Sequence, residues 1–347
     1  MEDGTIMFGA PTPPVDDTDF YSNLAEQLDS SELSTIKNDL MANFSSDKDS
    51  RSDWEKTYRE GLEQLGMKYE ERTQPFEGAS GVMHPLLAES VTQFQAQAYN
   101  ELLPSQGPVK TQVLGMTTAE SEQQASRVQE FMNYQLMQVM KEYDSETDQM
   151  LFYLPLSGSA FRKVYYDQNL DRAVSKFIPS EDLIVPYSAT DLHSATRITH
   201  CIDMSINDIK KLQQVGFYRD VDISMGNIVA DDYDEIQEEI DELQGISPSY
   251  NDTDTCKVHE IHTELDIPGF EDLNSEGEPT EIKLPYIVTI ANDKVLSIRR
   301  NYKENDPLKR RINYFVHYKF LPGLGFYGFG LTHMIGGLSK ASTSILR

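Results

Sequence analysis

Apolar residues recur every three to four positions through much of the first half of the chain. "PLLAESVTQFQAQAYNELL" sets Leu87, Val91, Phe94, Ala98 and Leu102 on one side of a helix, with Pro85 in its first turn. "AESEQQASRVQEFMNYQLMQVMKEY" does the same with Val128, Phe131, Met132, Leu136, Val139 and Tyr143. Both patterns predict helices that turn those residues onto a core. A shorter helix is predicted through "WEKTYREGLEQLG", opened by Asp53 as N-cap and closed by Gly66 in a left-handed conformation. "PFEGASGVMHP" reads as a loop. Residues 1–50 are polar, carry Pro11, Pro13 and Pro14, and read as a mobile arm with one short helix near "YSNLAEQL".

The period changes at Gly158. "SAFRKVYYD" and "RAVSKFI" alternate as strands do, and "QNLD" between them predicts a hairpin. "EDLIVP", "TRITHCIDM", "CKVHEIHTELDI", "LPYIVTI", "KVLSIRR" and "INYFVHYKF" read as further strands, with "EDLNSEGEPTE" a long hairpin loop. One helix interrupts them, "SINDIKKLQQVGFY", with Ser205 as N-cap and Asp208 as its capping partner. No regular strand–helix–strand alternation appears, so the predicted class is α+β with mostly antiparallel pairing.

"GLGFYGFG" then places Gly323, Gly325 and Gly328 in the spacing G-x-G-x-x-G, between a strand and a helix. That order suits a dinucleotide loop, and an α/β nucleotide-binding enzyme is the alternative reading of the chain. Against it, the motif lies near the end of the sequence, no acid follows at the distance a ribose would need, and Phe326, Tyr327 and Phe329 crowd the variable positions. The favoured reading is a glycine hinge of Gly323, Gly325, Gly328 and Gly330 that redirects the chain from sheet to helix. The helix beyond carries Leu331, Ile335, Leu338, Ser342 and Ile345 at packing spacing. Gly336, Gly337, Ser339, Ala341 and Ser342 are small enough for a second backbone to come close.

Net charge narrows the partners. The chain has 347 residues and a formal charge of -27, which argues against a protein that clamps phosphates statically. The charge is polarised: Asp220 to Glu242 holds ten acids and no base, whereas Lys294 to Arg347 holds ten bases against Glu304 and Asp306. Lys309, Arg310 and Arg311, beside the aromatic strand "INYFVHYKF", are the best candidates for contact with DNA or with a neighbouring subunit. Cys201 and Cys256 are the only cysteines, too few for a disulfide framework, and the N-terminus has no secretory-signal pattern. Cys256, His259 and His262 lie three apart, so a strand turns them to opposite faces and no metal site is expected. "LSGSAF" lacks the second glycine of a nucleophile elbow. No catalytic set, cofactor loop or membrane span is expected.

Three blocks carry a resemblance: residues 75–111, residues 178–223 from "IPSEDLIVPYSATDLHS" onward, and residues 284–347 from "LPYIVTIANDKVLSIRR" to the end. They resemble the portal proteins of tailed, double-stranded-DNA bacteriophages, in the branch of the short-tailed phages and their marine relatives. The resemblance implies a non-enzymatic virion subunit, assembled in the host cytoplasm into a ring of twelve at one capsid vertex. DNA is packaged and ejected through that ring, and its partners are the capsid protein, the terminase, tail or adaptor proteins and the passing duplex, with no membrane and no cofactor. It also implies a layout. Residues 51–150 form the helical part of a wing, 151–325 an antiparallel β-rich wing domain, and 326–347 a hinge and the start of a stem helix; the arm read from composition, residues 1–50, lies outside the resemblance. Subunit or stem packing falls to Leu331, Ile335, Gly336, Gly337, Leu338 and Ser342. The clip and crown of the family are expected beyond Arg347.

Overall fold

Eight helices and eight strands occur among the residues described by a computed structural model, namely 20–66, 76, 80–167, 170–223, 235–244, 255–274 and 277–347. The class is α+β and every strand pairing is antiparallel. The proline cluster of the N-terminus, residues 75 and 77–79 of "PFEGASGVMHP" and residues 224–234 of the acidic run lie outside the described residues.

The chain divides into two compact units, and both are discontinuous. The first takes residues 1–59, 180–314 and 324–326; the second takes 60–179, 315–323 and 327–347. This differs from the consecutive segments expected from sequence. Strands are joined by pairing partners, and partners need not be neighbours in the chain.

In the first unit, five strands lie in the order β3 (Leu183–Ile184), β4 (Arg197–Ser205), β5 (Thr255–Leu265), β6 (Leu284–Ala291) and β7 (Lys294–Arg300). β6 and β7 turn through Asn292 and Asp293, both at positive φ, which is the geometry a two-residue hairpin requires. Ile261, Tyr286, Val288, Ile290 and Ile298 form the apolar core. That core is covered by residues expected to be a mobile arm. Residues 24–26 make a single 3-10 turn, and α1 (Ser30–Ser50) lays Leu33 and Leu40 into the same cluster. The expectation fails because the helix starts with a full capping box, Asp29 with Glu32, inside a polar stretch whose few apolar residues fall on one face. Asn23 closes the outer edge of β7: its side chain accepts from Ile298 N (3.0 Å) and donates to Leu296 O (3.1 Å). Arg51, at the end of α1, donates to the carbonyls of Ser180, Glu181 and Leu183 and fixes the entry to β3.

The other face of the same sheet buries polar groups beside Val258, Ile198 and Ile287. Glu260 and His262 contact one another on β5 (2.7 Å), Thr289 and Ser297 bond across β6 and β7 (3.1 Å), and Arg299 donates to Phe217 O while its guanidinium covers the Phe217 ring. α6 (Ile206–Gln214) starts at Ser205, whose hydroxyl accepts from Asp208 N as the sequence pattern indicates. α7 (Glu235–Gln244) belongs to the acidic run and buries Ile236 and Ile240. α2 (Ser52–Glu63) begins one residue before the expected cap, so Asp53 sits in its first turn; Gly66 has the expected positive φ.

In the second unit, three strands lie in the order β2 (Arg172–Ile178), β1 (Ser159–Asp167) and β8 (Phe315–Lys319). α5 (Glu142–Ser157) packs Met150, Leu151 and Leu154 on Ala160, with Phe94 and Ala98 of α3 (Leu86–Leu102) at the margin. Glu146 on α5 accepts from Phe177 N (2.6 Å), so a carboxylate occupies a backbone donor of β2. The long helix expected from 119 to 143 is broken. α4 (Ala119–Tyr134) runs into a π turn, Gln135–Val139, and ends at Met140 before α5 begins. The apolar face expected to enter a core does not: Val128, Phe131 and Met132 are exposed, and α4 buries nothing.

Candidate functional site

The glycine turn is a packed corner. α5 ends at Gly158, which has φ +84 and occupies the left-handed region that a C-cap glycine favours. Gly328 and Gly330 lie against it backbone to backbone. A Cβ on Gly158 would come well under 3 Å from Gly328 O, one on Gly328 would meet Gly158 O, and one on Gly330 would meet Leu156 O. Gly323 is confined in the same way by Tyr327 O. Of the four glycines expected to act as a hinge, Gly325 alone stands in open space. Gly323, Gly328 and Gly330 permit close approach of two chain segments; of the aromatics between the glycines, Phe326 is buried and Phe329 is exposed.

Polar groups lock the corner. Ser159, fully buried, accepts from Gly328 N at 2.8 Å, and its Oγ lies 3.1 Å from His317 Nε2. With the Gly328 N–H already on that oxygen, the hydroxyl proton is directed to the imidazole. His317 stacks on Phe161 at 4.4 Å between centroids, and burial pushes its pKa down to about 3, so the ring is neutral and able to accept. Phe329 N donates to Leu321 O (2.8 Å), Phe320 N to Gly158 O (3.0 Å) and Gly330 N to His333 Nδ1 (3.2 Å). The amides of Gly328, Phe329 and Gly330 are thus occupied by the chain's own acceptors. A phosphate cradle needs such amides directed outward at a helix N-terminus. Ser159 and His317 have the elements of a nucleophile–base pair, but Ser159 is sealed from solvent and holds the corner together.

α8 (Leu331–Leu346) leaves this corner. Its buried positions are Thr332, Gly336, Ser339 and Thr343. Thr332 donates to Leu156 O (3.2 Å), Thr343 accepts from His84 N (3.0 Å), and Gly61 comes so close to Thr332 that no Cβ fits between them. Gly336 does admit close packing, against Gln64 of the same unit; Gly337 is exposed and has nothing near it. Leu331, Ile335 and Ser342 are half-buried, while Met334 and Leu338 are exposed. The packing residues chosen from sequence therefore divide. Gly336 serves the unit's own interior, and Leu338, with Met334, points away from it.

The basic cluster is occupied as well. Lys309 pairs with Asp272, Arg310 with Asp306 (2.9 Å), and Arg311 donates to the carbonyls of Leu192 and Ala195 at 2.7 Å. Arg310 remains solvent-exposed; Arg311 is largely enclosed and stabilises the 192–195 turn. His259 and His262 point to opposite faces of β5, toward Phe44 and Tyr314 respectively. No His, Cys, Asp and Glu cluster suited to a metal occurs among the described residues, and no described helix is long and apolar enough to cross a membrane.

No family model matches the chain, and no curated protein matches it.

Proposed function

We propose that the chain is a subunit of a portal-type ring, a passive conduit for double-stranded DNA at a phage capsid vertex, and that it also serves as the platform for terminase and tail factors. The resemblance of residues 75–111, 178–223 and 284–347 to that family carries the reading. Three features support it. The net charge of -27 suits a wall past which a polyanion slides, because each free lysine or arginine that bound a phosphate would release counterions and add grip. The basic residues at 309–311 are engaged by their own chain. The second unit also presents large apolar side chains on α4 and α8, as a subunit built for an assembly does. The glycine turn, whose amides are engaged internally, lends no support to a nucleotide enzyme.

The test is negative-stain microscopy of the purified protein at two salt concentrations. Rings with an open centre are the expected result; a monodisperse monomer at both concentrations overturns the proposal. A parallel titration with NAD or ATP is expected to be flat. Saturable binding abolished by Gly325→Val would instead support the nucleotide reading.

A further inference from the structure

Arg162 is a buried cation without a counter-charge. It lies on β1 with 3% of its surface exposed, and among the described residues it forms no ion pair. Its guanidinium donates to Ser175 Oγ (3.1 Å) and to Thr147 Oγ1, and it sits 4.6 Å from the centroid of the Tyr143 ring. Nε is buried with no acceptor. All four acids of α5, which packs over this strand, are committed elsewhere: Glu142 to Arg172 (2.6 Å), Asp144 to Tyr99 (2.6 Å), Glu146 to Phe177 N (2.6 Å) and Asp148 to Gln95 (2.8 Å). Neutral hydroxyls and a ring face offset part of the cost of burying a charge, but they do not neutralise it. An apolar side chain in such a place is often as stabilising or more so, so packing alone does not account for arginine here.

The sheet face passes from interior to solvent at this residue. Ala160, Arg162 and Val164 alternate on one side of β1; Ala160 is sealed under α5, whereas Val164 is 43% exposed. On β8, Tyr318 pairs with Ala160 and Val316 with Arg162, and Val316 is exposed to the same degree as Val164. Two valines thus adjoin the arginine as an uncovered apolar floor. Burial pushes the Tyr318 pKa up against the opposing charge of Arg162, so its phenol stays protonated and able to donate. Tyr143 lies in the first turn of α5, where Lys141 supplies no side-chain cap, so displacing its ring breaks no capping bond. One cation beside an apolar floor matches one negative charge on an apolar body. The planar fork of a guanidinium fits a carboxylate, whereas a phosphate dianion would bring a second, unmatched charge.

We infer that this part of the second unit binds a carboxylate carried on an apolar group, with the anion against Arg162 beneath Tyr143 and the apolar body on Val164 and Val316. The site is independent of the ring reading, and neither falls with the other.

The test is titration of the full chain with sodium hexanoate, read by valine-methyl NMR and thermal melting. Saturable shifts of the Val164 and Val316 methyls and a raised melting temperature are expected, with hexanol and inorganic phosphate at equal concentration giving neither. No saturable response to hexanoate, or an equal response to hexanol or phosphate, overturns the inference. Arg162→Met is expected to keep or raise the urea midpoint while weakening hexanoate binding at least about tenfold. Undiminished binding to the folded variant overturns the site. If Arg162→Met does not fold, the exposed position across from it decides. Val316→Glu tethers a carboxylate beside the guanidinium and is expected to abolish the hexanoate response, whereas Val316→Gln retains it; a response that survives Val316→Glu overturns the inference. A further arm identifies the source of the carboxylate. Tighter binding of acetyl-valyl-leucine than of hexanoate, lost when its C-terminus is amidated, assigns the site to a peptide end; the reverse order assigns it to a free acid.

Discussion

The two units treat apolar residues in opposite ways. In the first, the sheet's apolar face is closed by the chain itself, through α1 and the turn at Leu24, and its outer edge is closed by Asn23. In the second, α8 buries small and polar residues, α4 buries none of its own, and the two present Phe131, Met132, Met334 and Leu338 to the outside. The contrast shows that amphipathic periodicity marks a face that wants a partner without saying whether that partner is in the same chain. It also separates the two kinds of energy at work. The first unit is stabilised by area removed from water. The corner of the second is fixed by backbone contacts that tolerate no added atom.

The largest effect should come from that corner. Gly158→Val adds a side chain at φ +84 where Gly328 O and Gly330 N leave no room, and should cost about 4 kcal/mol or more, or prevent folding of the second unit. Gly325→Ala, in open space, should stay within about 0.5 kcal/mol in the same denaturation experiment. Equal losses at the two positions would show that the turn does not pack as described.

Acid should act next, through His317. Its folded pKa lies near 3, below the ordinary 6.5, so the unfolded chain takes up a proton first as pH falls. The contribution is complete above pH 6.5 and is lost progressively toward pH 3. The loss across that window is on the order of 5 kcal/mol. A melt series over this range in wild type and His317→Asn should show the variant with the flatter profile. Parallel profiles would place the acid sensitivity elsewhere.

Asn23→Ala tests the first unit's edge. It strips a buried donor from β7 and leaves Ile298 N without that acceptor, at a cost of about 2 kcal/mol in urea unfolding. The smallest effect is expected where the apolar residues face out. Phe131→Gln should change the stability of the isolated chain by no more than about 0.5 kcal/mol, whereas Ile261→Ala in the first unit's core should cost about 3 kcal/mol. Comparable losses from the two would erase the contrast between the units.

Much of the fold was legible because much of it is local. Alternation gave the strand runs, although β3 contracts to two paired residues. Ser205 with Asp208 marked the start of α6, and Gly66 took the left-handed φ that a helix end favours. The interior of the glycine corner was less legible. The motif was visible, but its meaning depended on Gly158, more than 160 positions earlier, and on Ser159 and His317, which sit on adjacent strands. The serine was noted as an incomplete elbow, and no signal in the residues around His317 marked it as a partner.

The sequence by itself determined the α+β class, the antiparallel strand runs and the capped helix starts, because these depend on propensities and periods within a few residues of each position. Tertiary structure alone decided that residues 20–50 build onto a sheet formed from residues beyond 180. It also turned Thr332 and Ser339 inward while Leu338 turned out, and it closed Gly328 on Gly158. Each of those outcomes is set by the atom on the far side of a contact, and that atom comes from a distant part of the chain.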